Sequence, residues 1–455
     1  MSEWKEKHHL PVKYSQDWQT VRLSEIAKKI GSGATPLGGS ASYLPARTKF
    51  ALVRSQNVFD RCFNVSGLAF ISDEQASRLR NVFLEENDLL LNITGDGITF
   101  ARSCKIPKEI LPACVNQHVA IIRINPDIAD SDYILSYLTH PDLKAYIESF
   151  NAGGSRRAIT KGDIESFIIP LPPLPEQKAI ARILSALDDK IELNRRMNET
   201  LEAMARAIFK DWFVDFGPTR AKMSGRATYL PEHLWSLFPG AIDPETGLPM
   251  GWDITPFESI VSVKDGTHDS PKMCDFGYPL ITSKHLKNGF IDFENSYLIS
   301  ERDFFDVNKR SKVDRFDILI TMIGTVGNLF FVDYQSINFA IKNIGLFKTS
   351  EKPHLAEYLY LYLGSSNITN YLKSRQSGTT QAYLTLKTLR TLPVVLPKVE
   401  LVEAFKAKIG SIFERITVNR DESRTLADLR DRLLPKLMSG EIRVKEAEKL
   451  LEDAV

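Results

Sequence analysis

Apolar residues recur along this chain in two rhythms. Short aliphatic and β-branched runs, Phe50 to Val53, Asp88 to Ile93 and Val119 to Ile124, are separated by Gly, Asn, Asp and Pro clusters, which predicts strands divided by turns. The succession returns at Pro279 to Thr282, Asp317 to Ile323 and Ile344 to Phe347. Ser131 to Phe150 and His354 to Arg375 carry helical spacing instead, so each half reads as an α/β or α+β domain.

A longer rhythm follows each half. Ile180, Leu184, Leu187, Ile191, Asn194, Asn198, Leu201, Ala205, Ile208 and Trp212 alternate four and three apart, and Phe405, Ile409, Ile412, Ile416, Asn419, Ser423, Leu426, Arg430 and Leu433 do the same. Only a repeat of about 3.5 residues keeps one stripe facing a partner over such a length, so two long helices with a coiled-coil seam are expected. A buried Asn needs a polar partner, so the Asn194/Asn198 and Asn419/Ser423 layers predict that the two helices pair antiparallel, with these layers close together.

The chain is internally duplicated. A shift of 225 residues places Gly153 on Gly378, Thr160 on Thr385, Leu171 on Leu396, Ile191 on Ile416, Asn194 on Asn419 and Leu201 on Leu426. That register runs without a gap for about fifty residues, and upstream it drifts, with Gly95 facing Gly324 and Trp18 facing Trp252. The expected layout is a first domain at 1–172, a long helix at 173–213, a linker at 214–250, a second domain at 251–397, a second long helix at 398–435 and a tail at 436–455. Pro175 followed by Glu176 suits a helix start, because proline lacks only a donor that the first turn cannot use. The fold class is therefore two copies of an α/β or α+β domain, joined by two long antiparallel helices with pseudo-two-fold repetition.

Composition narrows the function. With 43% hydrophobic and 25% charged residues among 455, the chain is globular in character, and no apolar run is long enough to cross a bilayer. The charged segment Met1 to Leu10 lacks the apolar core of a secretory signal, which reads as a cytoplasmic protein. A net charge of +1 means that any nucleic-acid face is local or shared with a partner. Cys62, Cys104, Cys114 and Cys274 include no CxxC pair, which argues against a zinc site. No Gly-Lys dipeptide exists to form a phosphate loop, and no H-E-x-x-H, G-x-S-x-G or Asn-Pro-Pro-aromatic sequence occurs. Catalysis by this chain is not expected.

What remains is loop chemistry suited to phosphates and base edges, where Gly admits close backbone approach and Arg, Asn, Gln, His, Ser and Thr supply hydrogen bonds. The first-domain candidates are Ser32, Thr35, Arg54, Gln56, Asn57, Thr94, Asp96, Gln117, His118, Ser155, Arg156 and Arg157. Those of the second are Lys264, Thr267, His268, Ser283, Lys284, Thr325, Lys342, Asn343, Thr379, Thr380 and Gln381.

With Pro170-Leu171-Pro172-Pro173-Leu174-Pro175-Glu176-Gln177 opening the first helix, Leu187-Asp188-Asp189-Lys190-Ile191 within it, and Leu433-Leu434-Pro435-Lys436-Leu437-Met438-Ser439-Gly440 closing the second, the chain resembles the specificity subunit of type I restriction-modification systems. Trp212-Phe213-Val214-Asp215-Phe216 and Gly266-Thr267-His268-Asp269-Ser270-Pro271 extend the likeness over the chain. The resemblance implies two target-recognition domains that each read half of a split asymmetric site on double-stranded DNA. It also implies paired helices that set the spacer and dock two methyltransferase subunits, with motor-nuclease subunits joining them. S-adenosylmethionine, ATP and Mg would be bound by those partners and none by this chain. A self-contained methyltransferase or nuclease, and a coiled-coil scaffold without DNA contact, stay open as alternatives.

Overall fold

The computed structural model describes residues 14–15, 17–95, 99–149, 157–287, 289–293, 295–378 and 382–452. The chain divides into two units, Met1–Arg195 with Arg420–Val455, and Arg196–Asn419.

In the first unit, Ala27–Ser32, Val119–Ile124, Leu89–Asn92 and Ser103–Lys105 form an antiparallel sheet in that order. A three-stranded sheet sets Phe50–Val53 between Ala113–Val115, which is parallel to it, and antiparallel Ala69–Ile71. Gln19–Arg22 pairs with Ile168–Leu171, tying the start of the domain to its end. The second unit repeats every feature, with Val263–Asp265, Ile344–Phe347, Ile318–Thr321 and Leu329–Phe331 in one sheet, Tyr278–Thr282 between Tyr297–Ile299 and Ala340–Lys342 in another, and Asp253–Pro256 on Pro393–Leu396. The central strands are buried on both faces, as their unbroken apolar runs require.

The duplication extends to single atoms. Tyr133 and Tyr137 donate their hydroxyls to the carbonyls of Pro170 and Ile168, and Tyr358 and Tyr362, each 225 positions on, donate to Val395 and Pro393. Buried Asp88 accepts from Arg123 at 2.7 and 2.8 Å, while buried Asp317 accepts from Lys348 at 2.6 Å. Burial pushes the Asp317 carboxyl above the usual range, although Lys348 and Ser350 donate to it. Thr160 and Thr385 each cap a short helix through the backbone N–H three residues on. The 225 register therefore reaches back to Val119 and Ile344, well beyond the stretch where side chains match. Tyr133→Phe and Tyr358→Phe are each expected to cost their unit about 1 kcal/mol in a urea titration, the worth of one hydrogen bond.

Each expected domain helix is in fact two. The first breaks between Ser131–Leu138 and Pro141–Ser149, because Pro141 cannot continue a helix through its missing N–H, and the second breaks at Gly364 between Ala356–Leu363 and Ser366–Ser374.

The long helices run Leu174–Phe213 and Val399–Ser439, each giving one half to each unit. In the first unit, contacts descend one helix as they ascend the other: Asp188 with Arg430 at 2.8 Å, Lys190 with Glu422 at 3.3 Å, and Asn194 with Glu422 at 2.8 Å and Ser423 at 3.3 Å. The pairing is antiparallel. In the second unit the Asn419 amide donates to Asn198 at 2.9 Å, the Asn198 amide to the Ile416 carbonyl at 3.3 Å, and Phe405 packs on Phe209 and Trp212. Asn194 on Ser423 and Asn419 on Asn198 are one contact seen twice, since each residue lies 225 positions from its counterpart.

The buried stripe is wider than a two-helix seam. Leu184, Leu187 and Leu426 join Ile180, Ile183, Leu433 and Leu437 in the core of the first domain, with Ile191 packed against it, and Ile409 joins that of the second, with Ile412 against it. Ile416 is buried and Leu201 half-buried. The helices are thus structural parts of the domains as well as partners of each other.

Three boundaries differ from the sequence expectation. The second helix passes through Pro435 to Ser439, because Leu433, Leu434, Leu437 and Met438 are buried there and their packing offsets the lost donor. The 214–250 segment is not a free linker: it carries helices Gly217–Met223 and Glu232–Trp235, and it buries Leu234, Phe238 and Leu248 in the second core, with Phe238 edge-on to Trp212 at 5.1 Å. The tail carries a helix at Val444–Glu452 that buries Ala447 in the first core.

Candidate nucleic-acid interface

In each unit, loops from distant parts of the sequence meet at the end of the four-stranded sheet. The meeting depends on one glycine. Gly33 donates its N–H to the Val119 carbonyl at 2.9 Å and Ala34 to Val115 at 3.0 Å, bringing the loop after Ala27–Ser32 against the Asn116–His118 turn. A Cβ on Gly33 would overlap the Asn116 carbonyl oxygen. Gly266 repeats this, with its N–H on Ile344 at 2.8 Å, Thr267 on Ile341 at 3.1 Å, and no room for a Cβ beside the Ile341 carbonyl. Since these obstacles are backbone, Gly33→Ala and Gly266→Ala are each expected to destabilise their own unit by about 2 kcal/mol, measured by thermal unfolding.

On the first frame the exposed Thr35 hydroxyl donates to the Gln117 side-chain Oε1, the Gln117 amide nitrogen reaches His118 Nε2 at 3.1 Å, and Thr94 meets His118 Nδ1 at 2.6 Å. Arg157–Ala158 pairs with Thr94–Gly95, which brings that strand to the same place. Ser32 is exposed at the strand end. On the second frame His268 Nδ1 faces Asn343 Oδ1 at 2.8 Å, and His268 Nε2 faces buried Asp265 at 2.9 Å, whose other oxygen accepts from Arg310. Lys342 donates to Ser270, and Ser283 to the Asn343 carbonyl at 3.1 Å. The Gly324 N–H reaches the Ala382 carbonyl at 3.2 Å, which brings the exposed Thr325 turn beside Ala382.

The other candidates stand apart from these pairs. Asn57 is fully buried, and its side chain holds the Arg54 N–H and the Asn64 and Ser66 carbonyls, so it organises a turn and cannot meet DNA. Arg54 and Gln56 both donate to the Gly67 carbonyl, and the strand before them joins the frame where the Asn116 N–H donates to Val53 at 3.0 Å. Thr267 is largely buried and accepts from the Asp269 N–H. Lys264 is half-buried within a strand, and Lys284 is exposed beside Ser283, whose hydroxyl donates to the Asn343 carbonyl. Asp96, Ser155, Arg156, Thr379, Thr380 and Gln381 lie outside the described residues. Sequence reading did not single out Asp265, which lies in the same loop as His268, and missed Arg310; an Asp three positions before a His was the available signal.

Among the described residues no group of His, Cys, Asp and Glu could hold a metal, and no helix is long and apolar enough to cross a membrane. Burial pushes the Cys104 thiol well up and that of Cys114 to about 12, which removes the thiolate a nucleophile needs.

Two copies of one scaffold that hold the same loops together with different side chains define a duplicated recognition protein. The chain belongs to the type I restriction modification DNA specificity domain family, whose model matches residues 15–203 and 251–424. It is 27% identical over 378 residues to the type I restriction enzyme HindI specificity subunit of Haemophilus influenzae, covering 72% of this chain and 81% of that one. To the MjaIX specificity subunit of Methanocaldococcus jannaschii it is 24% identical over 446 residues, covering 95% of each. The crystal structure of a type I restriction-modification S subunit from M. genitalium aligns over 94% of this chain and 99% of its own, at 16% identity and a TM-score of 0.48.

Proposed function

We propose that this specificity subunit reads a bipartite, asymmetric DNA site, one half through each recognition domain, and lends that specificity to catalytic partners while doing no chemistry itself. The observation that carries this reading is the constant frame with changed loop side chains, Thr35–Gln117–His118 in one unit and His268–Asn343 in the other. Unlike side chains on like frames call for unlike half-sites. The paired helices serve as spacer and as the dock for two methyltransferase subunits, which motor-nuclease subunits join. S-adenosylmethionine, ATP and Mg belong to those partners, and the assembly works in the cytoplasm.

The test is to map methylated adenines in a host expressing this chain with its methyltransferase partner. A two-part motif with unlike halves and a fixed unread gap is expected, whereas a palindromic or continuous motif would contradict the reading. A near-neutral chain has few phosphate contacts to offer, so the isolated subunit should bind its site at least tenfold more weakly than the assembled methyltransferase at physiological salt. Equal affinities in a fluorescence titration would count against shared DNA binding.

A further inference from the structure

We infer that the side-chain amides of Gln117 and Asn343 are the base readers of the two domains, each addressing the major-groove edge of an adenine in its own half-site. This rests on the reading of the chain as a DNA specificity subunit.

Both amides sit on the glycine-clamped frame, and each is held against an imidazole: Gln117 against His118 at 3.1 Å, Asn343 against His268 at 2.8 Å. The backbone origin of the partners differs between the units. In the first unit imidazole and amide both come from the turn 116–118, whereas in the second the imidazole comes from the glycine loop and the amide from Asn343. The tyrosine bonds that tie each domain together keep their chemistry at fixed backbone positions, as Tyr133 and Tyr358 do. Here the backbone is retained and the chemistry is permuted, which is the signature of a changeable reading head on a constant mount.

The hydrogen-bond inventory then selects the base. A primary amide has two N–H donors and two acceptor lone pairs. Gln117 spends one lone pair on Thr35 and one N–H on His118, leaving one donor and one acceptor. Asn343 spends one lone pair on His268, which leaves the other beside its N–H groups. A free donor next to a free acceptor matches the N7 acceptor and N6 donor of adenine, the pair that Asn and Gln address bidentately. The neighbours fix the amides: Gln117 lies between Thr35 and His118, and His268 is itself anchored by buried Asp265. Little conformational freedom is lost on docking, which favours discrimination.

The test uses the assembled methyltransferase carrying the wild-type chain, Gln117→Ala or Asn343→Ala, with methylated-base mapping of the host genome. Gln117→Ala should relax one adenine position in one half of the motif, and Asn343→Ala one in the other, with the gap unchanged. On purified complexes, the preference for the wild-type duplex over one with that A·T pair replaced by G·C should fall roughly tenfold for the matching variant. Unaltered motifs and preferences in both variants would overturn the inference, as would relaxation of the same half by both. If a variant no longer methylates, the duplex preference decides: a ratio near one supports base reading, and a retained ratio with lower affinity on both duplexes overturns it. A wild-type motif that is not in two parts would instead defeat the specificity reading beneath it.

Discussion

Asp188→Ala should destabilise the first unit by roughly 3 kcal/mol, because it leaves the buried Arg61 guanidinium without its anion and the half-buried Arg430 with Asp431 alone. Asp188 is 17% exposed between the side chains of Arg61, at 5%, and Arg430, at 19%. Arg430 donates to it at 2.8 Å, and although burial opposes the Arg430 charge, the hydrogen bond to Asp188 keeps that guanidinium more basic than usual. Arg61 stands at the tip of a hairpin with φ of +59°, donates to Asp188, and is fixed by Ser136 at 3.2 Å and Thr139 at 3.1 Å. One carboxylate thus pins a domain hairpin to both helices. One repeat away stand Phe413 and Ala205, so the second unit has no such pair to lose. Urea unfolding, with limited proteolysis to assign the transition, should show the first unit alone weakened. A loss below about 1 kcal/mol would mean that solvent screens the site as it does a surface pair.

Deleting one heptad in register from both helices should shorten the gap between half-sites and leave the bases read in each unchanged. Removal of residues 194–200 and 419–425 joins Leu193 to Leu201 and Val418 to Leu426, which keeps the phase of the apolar seam. About 10 Å of helix is lost from each, at 1.5 Å per residue. With base pairs about 3.4 Å apart, the gap should contract by about three. Methylated-adenine mapping reads the result directly, and an unchanged gap would show that the helices do not set it.

The sequence revealed most where one physical constraint acts along a continuous stretch. A heptad seam must repeat, so both helices and their antiparallel pairing were legible from Ile180 to Trp212 and from Phe405 to Leu433. A strand is apolar where both its faces are buried, and Phe50–Val53, Val119–Ile124 up to Arg123, and Ile344–Phe347 fell where expected. Constraints set by tertiary partners were hidden. Nothing local to the Pro- and Gly-rich 214–250 segment shows that Phe238 meets Trp212, and nothing near Pro435 shows the burial that carries its helix onward. Asn57 read as a base donor because its type suits that task, whereas three local hydrogen bonds consume its side chain. The pairing of His268 with Asn343 spans 75 positions and rests on Gly266, whose close approach to Ile341 only the folded backbone reveals.

The central claim, that each domain reads its own half-site independently on a common scaffold, is tested most directly by exchanging residues 251–397 for the corresponding domain of another family member and mapping methylation. The account predicts a motif with one half replaced, the other half retained and the gap unchanged. A motif altered in both halves, or unaltered, in a complex that still assembles would contradict it.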